Sequence, residues 1–339
     1  MAPASRPPPF LPRCPGGRDP RGAPVLDPLD RKLLQALQLD ARAPFSRIAQ
    51  VLDVSDQTVA RRYRRLLTTA RLRVVGITDE TRLGRTNWLV RLGCASDGAA
   101  DLAAALARRP DTAWVGLLSG GTEVLCVMQP RTVRDRDELL LSRLQRTRRV
   151  VSVSAQCLLH RFYGGPLGWL DKIDALDPEQ EAALRPPPVE PANGPVELDE
   201  ASVQLLAALH HDGRATLTEL QTDTGLSESV VKQRLEQLRT TGVLYFTVQY
   251  DRQTLGNEVA AILWLTVAPG ALAAAGNDLA THPEVQFAGA VTGQANLVAT
   301  TLHRTTEDLC VCLSDRIGTL QGIHTVETAL TLRQIKQFT

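Results

Sequence analysis

Four arginines surround a single tyrosine at positions 61–65, and this cluster has the chemistry needed to bind nucleic acid. Guanidinium groups pair with phosphates or with guanine edges, and polar side chains near a helix N-terminus can reach bases. Short polar residues directly precede the cluster. The candidate DNA-contacting residues are Ser55, Gln57, Thr58, Arg61, Arg62, Arg64 and Arg65.

Helical geometry separates these arginines from the side of the helix that must be buried. A wheel at about 100° per residue places an apolar stripe at Val59, Tyr63 and Leu66. The opposite side carries Arg61, Arg64 and Arg65, with Arg62 at the flank. A merely solvated face usually mixes acids with bases, whereas the only acid here is Asp56 at the helix start, where the helix dipole favours it. We therefore interpret the face as a DNA-contacting surface.

The chain contains a second version of this helix that lacks most of the arginines. A constant offset in residue number aligns Asp40-Ala41-Arg42 with Asp212-Gly213-Arg214, and a nearly identical offset aligns Gly120 with Gly293. One register held over such a span indicates duplication of a two-part unit, in which aligned residues are equivalent positions of the two copies. The outward face of the second helix carries Ser229, Val230, Gln233, Glu236 and Gln237. The second copy is thus either an auxiliary DNA contact or a scaffold.

Charge distinguishes the two copies. Residues 25–79 contain ten basic and six acidic residues, a net charge of +4, whereas residues 196–250 contain four and eight, a net charge of −4. Similar units of opposite charge are expected to have different partners.

The first part of each unit reads as three helices followed by a strand. Leucines recur at helical spacing in "PLDRKLLQALQL", "FSRIAQVLD" predicts a second helix, and Ser55 is a good N-cap for a third. The alternation in "RLRVVGITD" then predicts a strand. This order is a winged helix-turn-helix.

The second part of each unit predicts the element order β-α-β-β-α-β of a ferredoxin-like domain. The fold class is therefore α+β, with two winged helix-turn-helix domains alternating with two ferredoxin-like domains. The predicted segments are a disordered Pro/Arg-rich arm at 1–24, a winged helix at 25–80, a ferredoxin-like domain at 84–163, a linker at 164–195, a second winged helix at 196–252 and a second ferredoxin-like domain at 256–336.

Other functional classes leave no signal in the sequence. The six cysteines form no C-x-x-C pair, so no structural metal is predicted, and the six histidines are scattered. No catalytic set, phosphate loop or cofactor site can be picked out. No apolar run approaches the roughly 20 residues of a membrane span, and the Pro/Arg-rich N-terminus does not read as a secretory signal. We expect a cytoplasmic protein that has no membrane partner.

The repeated pattern resembles the Lrp/AsnC (feast/famine) family of transcription regulators. The resemblance rests on "LD…LL…L…D[AG]R" at 26–42 and 198–214, on "[VL]S….V..R…L" at 54–66 and 226–238, and on the leucine-glycine pairs at 83–84 and 255–256. It implies a bacterial-type, sequence-specific regulator that binds double-stranded DNA and is not an enzyme. It also implies that the ferredoxin-like domains, called RAM domains, associate through their sheets into a dimer or larger homo-oligomer.

The resemblance further implies an amino acid or related metabolite as effector, bound near the β-hairpin of each RAM domain. The corresponding residues are Ser119, Gly120, Gly121, Thr122 and Glu123, and in the second copy Thr292, Gly293, Gln294, Ala295 and Asn296. The family often has an aspartate where this chain has Glu123 and Asn296. The first keeps the charge with a longer reach and the second loses it.

Two alternative functions belong to other classes. Tandem enzymes resembling this family decarboxylate sirohaem, but they are expected to carry a His-Asn-Tyr-x-Arg-like stretch that "TNWLVRLG" and "NEVAAILWL" lack. The second alternative is a metabolite-binding protein that does not bind DNA, and the arginine-rich face of the helix argues against it.

Overall fold

The computed structural model describes residues 26–95, 98–144, 147, 149–165, 168–186 and 194–337. The arm predicted at 1–24 lies outside these residues. Among the helices that are described, none is long and apolar enough to cross a membrane.

The first winged helix has the three helices predicted from its hydrophobic spacing. They are α1 (Pro28–Leu39), α2 (Phe45–Leu52) and α3 (Asp56–Thr69), followed by strand β1 (Arg73–Thr78). Leu33, Leu37 and Ile48 are fully buried between the helices. The turn between α2 and α3 requires a left-handed residue, which is Asp53 here (φ 52°) and Gly225 in the second copy (φ 69°).

The segment predicted as a linker is partly folded and packs on α1. It contains α6 (Pro178–Leu184), whose first turn is capped by the Asp177 side chain. Leu170, Leu176 and Leu184 are buried in the core of the first winged helix. The buried amide of Gln35 on α1 accepts hydrogen bonds from the backbone N–H groups of residues 175 and 176. These contacts explain why α1 is buried on more than one side.

The first ferredoxin-like domain has the predicted β-α-β-β-α-β order. Its elements are β2 (Trp88–Cys94), α4 (Ala99–Ala107), β3 (Thr112–Leu118), β4 (Glu123–Met128), α5 (Val133–Asp137) and β5 (Val150–Tyr163). The second predicted helix is α-helical only from Val133 to Asp137, and it continues as a π-helical turn from Glu138 to Arg143.

The second half repeats this plan. Its winged helix consists of α7 (Glu200–His211), α8 (Leu217–Thr224), α9 (Glu228–Thr240) and β6 (Leu244–Gln249). Its ferredoxin-like domain consists of β7 (Val259–Val267), α10 (Leu272–Thr281), β8 (Val285–Val291), β9 (Leu297–His303), α11 (Thr306–Val311) and β10 (Ile323–Lys336).

The two winged helices share one sheet. Each supplies a single strand, and β1 pairs with β6 in an antiparallel ladder. Val75 lies opposite Thr247, which is its own equivalent in the second copy. The flanking pairs 73–249 and 77–245 exchange when each residue is replaced by its equivalent. A pseudo-twofold axis therefore passes through the middle of this ladder.

The two ferredoxin-like sheets also join within the chain, forming a closed eight-stranded barrel in the order β10-β3-β4-β2-β5-β8-β9-β7. The long strands β5 and β10 each pair with both halves. The contact between Leu158 and Val291 in one seam is the repeat equivalent of the contact between Thr331 and Leu118 in the other. The duplication seen in the sequence is thus a structural pseudo-dimer.

Candidate nucleic-acid interface

Helix α3 begins with the cap that its sequence predicts. The Ser55 hydroxyl oxygen accepts a hydrogen bond from the backbone N–H of Thr58 at 3.2 Å, and the hydroxyl groups of the two residues lie 3.0 Å apart. Val59 and Leu66 are buried, and Tyr63 is half-buried with its ring centroid 5.2 Å from that of Phe45. The stripe predicted to face the core therefore does so.

The opposite face of α3 is open to solvent. Gln57, Arg61 and Arg64 are all exposed. None of the three side chains forms an ion pair or hydrogen bond with another residue that the structure describes. The N-terminal turns of α3 thus present an amide and two unpaired guanidinium groups to a ligand.

The other two arginines of the cluster bind the start of α1. Arg62 contacts Asp27 and lies 3.0 Å from Asp30, and Arg65 also contacts Asp30. The Asp30 side chain is only 2% exposed, so the arginines supply the counter-charge that a buried carboxylate requires. The pKa of Arg62 is raised, chiefly by its hydrogen bond to Asp27. Arg65 is exposed, as the wheel predicts, but its guanidinium pairs with Asp30 of α1.

The second copy keeps an equivalent of the paired arginine but not of the exposed, unpaired ones. Arg234, the equivalent of Arg62, contacts Asp199, which is the equivalent of Asp27. Gln233 and Glu236 stand where Arg61 and Arg64 stand in the first copy, and both are exposed. The internal ion pair is kept in both copies, while the unpaired arginines are present only in the first.

Two further arginines, not identified as functional from the sequence, join the winged helices to each other. Arg42 donates hydrogen bonds to the carbonyl oxygens of Gly213 (2.7 Å) and Ala215 (2.9 Å). Arg214 donates reciprocally to those of Ala41 and Ala43. Both lie in the repeated "D[AG]R" motif, which was the only signal available. Burial lowers the pKa of both guanidinium groups.

The hairpin predicted to bind an effector in the first copy has an internal partner for its acid. Glu123 contacts Arg91 and accepts a hydrogen bond from the Ser119 hydroxyl at 3.1 Å. Arg91 also contacts Glu327 of the second copy and lies 4.2 Å from the Trp264 ring centroid. Gly120 and Gly121 have positive φ angles, and Thr122 donates to the Ser119 carbonyl oxygen at 3.2 Å. The charge of Glu123 is therefore already compensated.

The hairpin of the second copy is fixed by hydrogen bonds to neighbouring strands of both copies. The Asn296 amide both donates to and accepts from the backbone of Val267, each at 2.8 Å. Thr292 accepts a hydrogen bond from the backbone N–H of Cys157 at 2.9 Å, and the carbonyl oxygen of Gln294 accepts one from Thr266. Gly293 has a φ of 110°. Asn296 replaces the family's usual aspartate with a structural amide.

Comparison with family models assigns both parts of the repeat. Residues 26–67 match an AsnC-type helix-turn-helix domain, residues 198–245 match a winged helix-turn-helix DNA-binding domain, and residues 260–339 match the Lrp/AsnC ligand binding domain.

Comparison with individual proteins agrees. The chain is 32% identical over 145 residues to the HTH-type transcriptional regulator FL11 of Pyrococcus horikoshii, a match that covers 42% of this chain and 95% of FL11. It is 27% identical to the HTH-type transcriptional regulator Ptr1 of Methanocaldococcus jannaschii, with 41% of this chain and 95% of that protein covered. Among solved structures, the siroheme decarboxylase NirDL in complex with an iron-uroporphyrin III analogue has a TM-score of 0.62 at 15% identity, over 92% of this chain and 93% of that one. This last likeness shows a shared fold alone.

Proposed function

The chain belongs to the Lrp/AsnC family of DNA-binding transcriptional regulators, and from that premise we propose that it reads DNA through its first winged helix. The observation that carries this proposal is the difference between equivalent helix faces. Arg61 and Arg64 are exposed and unpaired among the described residues, whereas Gln233 and Glu236 occupy the same positions in the second copy.

The elements of the first winged helix divide the work of recognition. Ser55, Gln57 and Thr58 lie at the N-terminus of α3, the part of a recognition helix that contacts base edges in the major groove. Arg61 and Arg64 neutralise phosphates or pair with guanine. Arg62 and Arg65 hold α3 on α1 and so set the angle at which the helix meets the groove. The second winged helix acts mainly as a scaffold for the first.

A gel shift on the DNA upstream of the protein's own gene tests this assignment. The Arg61→Ala/Arg64→Ala variant should lose at least about tenfold in affinity. The negative slope of log affinity against log salt should become shallower by about 2, one unit per lost phosphate contact. The matched control is Gln233→Ala/Gln237→Ala on the equivalent face of α9, which should bind as the natural chain does. Equal losses in the two variants would show that both helices read DNA, and no loss in either would overturn the proposal.

We also propose a small-molecule effector for the ligand-binding domains. The hairpin residues of the first copy, Ser119 to Glu123, support this through the left-handed backbone of Ser119, Gly120 and Gly121 at the tip of the turn. The ion pair of Glu123 with Arg91 disfavours an ammonium group at that place, because the carboxylate is already paired. A thermal-shift screen of the amino acids measures the outcome, and no response to any of them would count against an amino-acid effector.

We also propose a regulatory rather than enzymatic role for the chain. The relatives found by sequence, FL11 and Ptr1, are transcriptional regulators, and the chain lacks the His-Asn-Tyr-x-Arg-like stretch expected of the sirohaem enzymes. Incubation of the chain with sirohaem, followed by mass spectrometry of the tetrapyrrole, should show no loss of carbon dioxide. Detected decarboxylation would contradict this role.

We further propose that chains associate through their RAM domains. Every strand of the barrel already pairs with two neighbours, so association must use side-chain surfaces rather than sheet edges. The long seam strands expose apolar side chains, with Val151 77%, Leu159 63% and Leu332 57% exposed. Such exposed apolar residues support contact with a second copy.

A further inference from the structure

A cavity of about 280 Å³ lies on the inner side of the barrel, beneath the ladder formed by β1 and β6. Ile77 and Tyr245 of the ladder line one side. The apolar part of the wall on the barrel side comes from both copies and consists of Leu89, Trp114, Leu125, Leu158, Ile262 and Val298. The volume is close to the lower end of the range of small-molecule sites. A ligand here would contact both the strands shared by the two winged helices and the barrel.

Two side chains of the cavity wall carry buried polar atoms that lack a partner among the described residues. Asn87 is 8% exposed and its side-chain oxygen accepts no hydrogen bond. Gln38 is 7% exposed, and its side-chain nitrogen donates none although its oxygen accepts one from the backbone of Val248. Buried polar atoms of this kind are costly unless something in the cavity satisfies them.

The charges around the cavity are not balanced. The carboxylates of Asp79 and Glu80 already pair with Arg161 and Arg85, respectively. Arg252, which is the equivalent of Glu80 in the second copy, also lines the cavity and has no ion pair among the residues described. Burial lowers the pKa of its guanidinium, yet arginine remains charged at neutral pH. Equivalent positions of the two copies thus carry an acid in the first and a half-buried cation in the second.

We propose that this cavity binds a small monocarboxylic acid with an apolar body, whose carboxylate pairs with Arg252. The apolar walls accommodate the body, and Asn87 and Gln38 bind polar substituents. A polyanion is disfavoured because a single free cation in the described lining would leave its further charges desolvated. An α-ammonium group is disfavoured because both acids of the lining are paired. The ligand class therefore differs from amino acids, and the place differs from the hairpins.

Phenylacetate and 4-methylpentanoate are suitable probes, with phenylacetamide as the neutral match and L-phenylalanine as the zwitterionic one. Saturation-transfer NMR and calorimetry on the full chain, without DNA, should detect binding of the two carboxylates. The amide should bind at least about tenfold more weakly, because it lacks the carboxylate that pairs with Arg252. The amino acid should also bind at least about tenfold more weakly, because its ammonium group would be desolvated beside carboxylates that are already paired.

Two variants assign the binding to the cavity. Arg252→Gln should weaken phenylacetate binding at least about tenfold, and Val127→Phe should abolish it by filling space at a half-buried wall position. Arg61→Ala/Arg64→Ala should bind the probes like the natural chain, so failure here and failure of the DNA assignment can be told apart. No binding of either carboxylate, equal binding of the amide, or binding unchanged in both cavity variants would overturn the proposal.

Discussion

At the scale of single residues, the arginine cluster of α3 shows what a helical wheel can and cannot give. The wheel correctly placed Val59 and Leu66 inward and Arg61 and Arg64 outward, because that sorting depends only on helix periodicity. It could not show that Asp30 binds Arg65, because that partner lies on another helix, far away along the chain. Pairing between elements is a tertiary property that spacing along one helix does not contain.

The division of the cluster predicts unequal effects on stability. Arg62→Ala leaves the buried carboxylate of Asp30 with Arg65 as its remaining cationic partner, and should lower the free energy of unfolding by roughly 1–3 kcal/mol. Arg61→Ala removes an exposed, unpaired side chain and should change it by less than about 0.5 kcal/mol. Urea unfolding of both variants measures the difference. Equal stability of the two would contradict the structural role of Arg62.

Lys172 predicts a dependence of stability on pH. Its ammonium donates hydrogen bonds to the carbonyl oxygens of His282 and Val285 and lies 3.5 Å from the Tyr163 ring centroid. Burial lowers the pKa of Lys172 to about 8, although the nearby carboxylates of Glu284 and Asp171 act in the opposite direction. Because the unfolded chain keeps this proton up to a higher pH, unfolding takes up a proton between pH 8 and 10, and this group's contribution makes the folded state more stable as the pH rises.

Lys172→Met removes this contribution. The natural chain should gain roughly 1 kcal/mol relative to the variant between pH 8 and pH 10, an amount already reduced for solvent screening. Chemical unfolding of both proteins at the two pH values gives the double difference, which cancels the shared titration of cysteines and tyrosines. A difference of zero, or one of opposite sign, would show that the lysine is not destabilised by burial.

At the scale of elements, the alternation of β1 and β6 predicted strands but not their partner. A winged helix usually completes its wing within one domain, whereas here each domain gives one strand to a shared ladder. The repeat could have suggested this, because Val75 and Thr247 are equivalent residues. For the two hairpins, the sequence predicted the turns and their glycines. It did not predict the contacts of Glu123 with Arg91 and of Asn296 with Val267, because these partners lie far away along the chain.

The reciprocal arginines should control how firmly the two winged helices are joined. Arg42→Ala/Arg214→Ala deletes four hydrogen bonds from charged donors to carbonyl oxygens of the opposite domain. We expect amide hydrogen exchange in β1 and β6 to become at least about tenfold faster, because local opening of the ladder becomes easier. Arg61→Ala is the control with an exposed arginine. Unchanged exchange in the double variant would show that the ladder alone joins the domains.

At the scale of the whole molecule, duplication has placed a family dimer within one chain. The resemblance implied association of RAM domains through their sheets, and the seams β5–β8 and β10–β3 achieve this intramolecularly. Once both halves are on one chain they can diverge, since only the fold and the seams must be retained. The second winged helix has kept its core leucines and the Arg234–Asp199 pair and has lost the exposed arginines.

The proposal that each chain has one DNA-reading helix predicts the number of chains bound to each DNA site. A palindromic site presents two half-sites, so it should bind two natural chains, each using α3. Gln233→Arg/Glu236→Arg restores arginines to the positions on α9 that are equivalent to Arg61 and Arg64. Because the pseudo-twofold axis relates α3 to α9 within the chain, this variant should occupy both half-sites with one chain. Its salt slope should be steeper by about 2 than that of one natural chain.

Mass photometry of the complexes counts the chains on each DNA, and a half-site oligonucleotide serves as the control that should bind one chain of either protein. A single natural chain protecting both half-sites would mean that α9 reads DNA without its arginines, through polar residues such as Gln233 and Gln237. A restored variant that still binds as two chains would mean that the shared ladder holds α9 at an angle or a spacing the second half-site does not match. The scaffold role of the second winged helix would then reside in its position rather than in its charge.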